Sequence, residues 1–128
     1  MIRTVLKMCV RAGCAEEFEQ VWRAAAAVSR HYPGAGPQTM LRDPRAPLRY
    51  TITADWATRE DLTVYQKSVD REALSAALER LRESASKNLY EVVAHVTAAA
   101  PVTVPAPAPP TSPPATASPS AKEGSAPR

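Results

Sequence analysis

The sequence predicts one small α+β domain with the ferredoxin-like element order β-α-β-β-α-β and an antiparallel sheet. Two periodicities and a break in composition lead there. Apolar residues alternate in short stretches, and between these they recur at helical spacing. The break falls near residue 98. Nine of the thirteen prolines lie in residues 99–128, a stretch with no aromatic residue and only three charges, Lys122, Glu123 and Arg128. Such a segment cannot bury enough apolar surface to offset the entropy of ordering. Residues 1–98 are therefore read as the folding unit, and 99–128 as a disordered Pro/Ala-rich tail. The PxxP spacings of the tail, Pro107 to Pro110 and Pro110 to Pro113, also suit a tether or a ligand for a proline-binding module.

Each element follows from its pattern. Ile2, Thr4, Leu6, Met8 and Val10 alternate onto one face of a first strand, with Arg3, Val5, Lys7 and Cys9 opposite. Phe18, Val21, Trp22, Ala25 and Val28 recur at helical spacing behind acidic Glu16 and Glu17, predicting a helix from about Cys14 to His31 that stops before Pro33. After the loop Pro33-Gly34-Ala35-Gly36-Pro37, the segments Gln38–Arg42 and Leu48–Trp56 form a hairpin across Asp43–Pro47. On its second strand Tyr50, Ile52, Ala54 and Trp56 share a face opposite Arg49, Thr51, Thr53 and Asp55. Thr58-Arg59-Glu60-Asp61 has the form of a capping box and opens a helix with Leu62, Tyr65 and Val69 inside. Asp70 recaps a further helical piece, with Ala73, Leu74, Ala77, Leu78 and Leu81 as its stripe. Leu89–Thr97 is the last strand, with His95 on the face of Glu91 and Val93. Helices cover one face of such a sheet, so a second copy packed sheet on sheet, a homodimer, is the economical cover for the other.

Composition narrows the function. The net charge of +3 comes from arginines spread along the chain, and with seven aromatics and neither an RNP-like nor a zinc-finger pattern no nucleic-acid partner is expected. Cys9 and Cys14 are separated by four residues, outside C-x-x-C spacing, and no further Cys/His pair completes a zinc site. They read as small hydrophobes. Arg3, Lys7 and Arg11 interrupt the apolar core a signal peptide needs, and no run approaches the length of a membrane span. The expectation is a soluble cytoplasmic protein with no membrane partner.

The element order and the run from Tyr50 to Leu62, with its strand-end Trp56 and acidic capping turn, resemble the antibiotic biosynthesis monooxygenase family of dimeric α/β barrels. Ser68, the Ala73–Leu81 stripe and Leu89-Tyr90-Glu91-Val92-Val93 extend the resemblance over roughly residues 2–97. The resemblance implies a cofactor-independent monooxygenase of an aromatic polyketide pathway, which oxidises a polyphenolic, anthrone-like ring to a quinone with O₂ as co-substrate and no metal, flavin or haem. Such a site needs a proton acceptor, cations for an oxyanion and a dry apolar pocket. Anthrone-oxidising relatives place an Asn four residues before the strand-end Trp and a Tyr six after it; here Ile52 and Leu62 stand there, and only Trp56 carries over. The haem-degrading branch needs a Trp and a His where this chain has Tyr65 and Ser75, which disfavours that activity. A polyketide cyclase, or a partner to a separate cyclase or oxygenase, is the alternative on the same fold. A non-enzymatic scaffolding dimer that uses the tail is the other.

Candidate site residues each carry a plainer reading beside the functional one. Trp56 and Trp22 are pocket walls or core packing, the commoner fate of large aromatics. Tyr65 is a donor to a substrate oxygen or a structural hydrogen-bonding phenol. His31, with Tyr32 beside it at a pocket mouth, is the favoured proton acceptor or else a helix C-terminal residue suited by the dipole. Arg49 is the anion stabiliser or, like Lys7 and Arg42, a solvated surface charge.

Overall fold

A computed structural model describes residues 1–100, so nearly all of the segment expected to form the tail lies outside the described residues. The elements are β1 (Ile2–Val10), α1 (Ala15–Ser29), β2 (Ala35–Asp43), β3 (Ala46–Trp56), α2 (Arg59–Gln66), α3 (Val69–Leu81) and β4 (Arg82–Glu91). They form one antiparallel sheet in the order β2-β3-β1-β4, the ferredoxin-like arrangement expected from the pattern. All of them lie in a unit spanning Met1–Ala94, while the described part of the second unit, from His95 onward, has no regular structure.

Alternation sets the faces of the central strands. In β1 Ile2, Thr4, Met8 and Val10 are buried, and in β3 Tyr50, Ile52 and Trp56 join them on the helix-covered side. Two apolar clusters fill that layer. Phe18, Tyr50, Ile52 and Leu78 anchor one with Met8, Val10 and Leu81, whereas Ile2, Trp56, Leu62 and Tyr65 make the other. On the opposite face Arg3 grips its cross-strand neighbour Asp55 with both ends of the guanidinium, Nε to Oδ1 at 2.6 Å and Nη2 to Oδ2 at 2.9 Å. That clasp lets a carboxylate sit only 4% exposed on the uncovered side. The hydrogen bond from Arg3, and then the Asp55 charge, hold the guanidinium still more firmly in its charged form.

Four expectations are corrected. Val28 lies outside the α1 stripe, 47% exposed, and Ser29 is buried in its place because eleven residues, three helical turns, bring it directly below Phe18. Val69 is 76% exposed because the chain breaks between α2 and α3, and the break resets the phase of the stripe. The cap of α3 is Ser68, whose Oγ accepts the Arg71 N–H at 3.1 Å, rather than Asp70. The last strand is Arg82–Glu91 in place of Leu89–Thr97. It starts as soon as α3 ends and pairs along the whole free edge of β1 by backbone hydrogen bonds, which do not require apolar side chains. Val93 and Val96, which made the later segment read as a strand, are 92% and 90% exposed, and His95 falls past the strand end.

Candidate active site

The site forms where β3 hands over to α2. Thr58 caps that helix by accepting the Asp61 N–H at 3.1 Å, and the fixed entry angle lays Tyr65 flat on Trp56, ring centroids 5.1 Å apart at 22°. Tyr32, just beyond α1, meets Tyr65 edge-on at 5.2 Å and donates its hydroxyl to Asp70 Oδ2 at 2.6 Å. Between this aromatic cluster and the Ile52–Leu78 end of the core is a chamber of about 50 Å³. Trp22, Trp56 and Tyr65 form its aromatic walls, and Gln38, Arg71 and Lys87 are among its polar lining residues. Among the described residues no Asp or Glu lines it. Trp22 and Gln38 also line two surface grooves of about 560 and 390 Å³, which makes them the wall between the chamber and the outside.

Hydrogen bonds fix the polar side of the chamber. The Gln38 amide donates from Nε2 to Ser29 Oγ at 3.0 Å. Arg71 Nη1 donates to Ser75 Oγ, one helical turn on. Burial holds the Tyr65 phenol above its ordinary 10, against the opposing pull of Arg71 and Ser29, so the hydroxyl stays a proton donor at neutral pH. Burial, and then the Arg71 charge, hold the Lys87 ammonium below its ordinary 10.5. Because the unfolded chain releases a tyrosine proton first, the raised Tyr65 value contributes stability that is present below pH 10 and is lost as pH rises through the folded value. Tyr65→Phe should therefore show a shallower fall in urea midpoint than the parent above pH 10, measured by circular dichroism.

The structure gathers four of the six residues expected at the site. Trp22, Trp56 and Tyr65 line the chamber, and Tyr32 supports Tyr65 from outside it. His31 and Arg49 stand elsewhere. His31 is exposed in a shallow depression with Val28 and Pro33. Arg49 is exposed on the uncovered side of the sheet, beside a surface hollow it shares with Lys7 and Cys9. Sequence reasoning missed Gln38, Arg71 and Lys87. Gln38 alternates with Met40 and was readable as inward. Arg71 lies three residues before Leu74 on the stripe already recognised, the one signal that pointed to it.

A helix layer over one face of an antiparallel sheet, with a small chamber between them lined by aromatic side chains, Arg71 and Lys87, defines a ferredoxin-like α+β domain. Residues 1–80 match the antibiotic biosynthesis monooxygenase family, and the chain belongs to that family. Among curated proteins, none matches the sequence. Solved structures share the fold. SnoaB, a cofactor-independent oxygenase from Streptomyces nogalater, superimposes with a TM-score of 0.68 at 22% identity, over 74% of this chain and 95% of its own. A candidate antibiotic biosynthesis monooxygenase from Deinococcus radiodurans gives 0.70 at 17% identity, over 78% of this chain and 100% of its own. Among the described residues no helix is long and apolar enough to cross a membrane.

Proposed function

We propose that the chain is a cofactor-independent monooxygenase of the cytoplasm that oxidises a polyphenolic, anthrone-like ring to a quinone, as a homodimer closed through the uncovered sheet face. The observation that carries this reading is the chamber lining: aromatic walls for a planar ring, with Arg71, Lys87 and, among the described residues, no carboxylate, in a member of a monooxygenase family. Support for the absence of a cofactor comes from the likeness to SnoaB, itself an oxygenase of that kind. The ring loses a proton to give an enolate, which passes one electron to O₂. Recombination of the two radicals forms a peroxide, and this eliminates water, so that one oxygen atom ends in the quinone and the other in water. Trp56 and Tyr65 stack on and orient the ring, and the Tyr65 hydroxyl donates to its oxygen. A chamber of about 50 Å³ is too small for fused rings, so admission requires the Trp22 side chain to swing aside and join it to the outer grooves.

The test is O₂ uptake by the full-length protein with an anthrone or naphthol-type polyphenol, in the presence and absence of a chelator. Chelator-insensitive uptake that tracks quinone absorbance is expected, and Trp56→Ala should lower kcat/KM roughly 10²-fold through lost ring positioning. Tight binding of several such rings without uptake would overturn the oxygenase reading. It would favour enolate chemistry that does not consume O₂, as in a polyketide cyclase.

A further inference from the structure

Resting on the oxygenase reading, we propose that Lys87 is the base that takes the proton from the substrate, and that Arg71 holds the oxyanion formed. The two face the chamber from opposite layers, Lys87 from the inner side of the edge strand β4 and Arg71 from α3. The register places Lys87 opposite Leu6, whose row of β1 faces the helices, so its side chain leaves the sheet on the chamber side.

The chemistry of the lining leaves one candidate. Its charged or titratable members are Tyr65 from α2, Arg71 from α3 and Lys87 from β4; β1 contributes Thr4 and Leu6, and β3 contributes Ile52, Ala54 and Trp56, none of them ionisable. A guanidinium cannot give up its proton at working pH, and the buried phenol keeps its own. Among these groups Lys87 alone can present a basic lone pair, and the same partial burial and Arg71 charge that lower its pKa enlarge the neutral amine fraction. His31, the acceptor expected from sequence, is outside the chamber. In the step proposed, the ring C–H breaks, the proton passes to the Lys87 amine to give an ammonium, and the electron pair delocalises onto the ring oxygen beside Arg71. No oxidant enters this step.

The proton transfer can be measured apart from oxygen chemistry. Under argon, 1,8-dihydroxyanthrone mixed with the full-length protein in a stopped-flow cell reports ionisation by the visible absorbance of its anion. The parent should ionise the bound probe at a rate that rises with pH, and Lys87→Gln should slow it roughly 10²-fold with probe affinity changed less than about threefold. Lys87→Arg keeps the charge but cannot accept a proton, and it should match Lys87→Gln. Arg71→Gln should weaken binding about tenfold and keep the rising pH limb. Lys87 is only partly covered and keeps more than a third of its surface in solvent, so its two variants are expected to fold like the parent. A parental rate and pH profile in Lys87→Gln, or rescue by Lys87→Arg, would overturn the assignment of the base, and O₂ uptake persisting in that variant would leave the oxygenase reading standing. Anaerobic ionisation that depends on Lys87, in a parent that takes up no O₂, would support the base and overturn the oxygenase.

Discussion

Phe18→Ala is expected to cost about 3–5 kcal/mol, the largest single loss of stability in the domain. Phe18 is fully buried, its ring tilted at 47° against Tyr50 with centroids 4.9 Å apart, and it sits among Met8, Val10 and Leu78 where α1 meets the sheet. Removing the ring forfeits both its transfer free energy and the contacts of its neighbours. Tyr50 cannot collapse into the space, because its hydroxyl is tied to Glu19 Oε2 at 2.6 Å, where Arg42 also bonds at 3.3 Å. Against a total stability of about 5–15 kcal/mol for a domain this size, the loss brings the chain close to unfolding. A melting temperature lower by about 20 °C, with an unchanged urea m-value, is the expected readout. Phe18→Leu, which leaves a smaller void, should recover more than half of the loss.

Gly34→Ala is expected to cost about 2–3 kcal/mol, a large loss for a loop position. Gly34 holds φ at +77°, a left-handed conformation that side chains disfavour, in the loop that leads into β2. A Cβ there would also lie 2.7 Å from Asp61 Cβ and closer still to its carboxylate. The collision matters because Gly34 O accepts the Ala57 N–H at 2.8 Å and thereby ties this loop to the start of α2, the helix that presents Tyr65. Pairing the change with Asp61→Gly removes the clash and leaves the backbone strain, so the double variant should regain roughly half of the loss in a urea titration. Full recovery would mean that the conformation of Gly34 carries no cost.

The fold was legible because its signals are local. Alternation in Ile2–Val10 and Tyr50–Trp56, the Phe18–Trp22–Ala25 spacing and the Thr58 cap each act over a few residues, and each has its counterpart in the structure. What failed was the polar edge. Strand β4, RESASKNLYE, is held by its backbone, and nothing in its side chains alternates, so the apolar segment after it looked the better strand. That error hid Lys87, because a residue can be assigned to the inner face only once its strand is known. The aromatic half of the chamber was readable for the opposite reason, since Trp22, Trp56 and Tyr65 lie on stripes that sequence periodicity defines. Arg49 depends on a feature that no local pattern encodes. Its place opposite Tyr50 and Ile52 was read correctly as a face, but which face encloses the chamber depends on the side the helices cross, a long-range property.

The Arg3–Asp55 clasp has a consequence for how faithfully the chain folds. Sliding β1 by one residue along β3 would turn Ile2, Met8 and Val10 toward water, an error that apolar burial rejects by itself. Sliding it by two preserves every inward and outward assignment, so hydrophobic burial discriminates against that mispairing only weakly. In that shifted arrangement Arg3 would face Thr53 or lie beyond the strand end, and Asp55 would have to remain buried without its bidentate counter-ion. One charged pair thus disfavours both two-residue slips that an alternating pattern leaves open. A charge-neutral version, Arg3→Met with Asp55→Leu, would be expected to fold to a less uniform set of strand pairings even where its midpoint of unfolding is preserved.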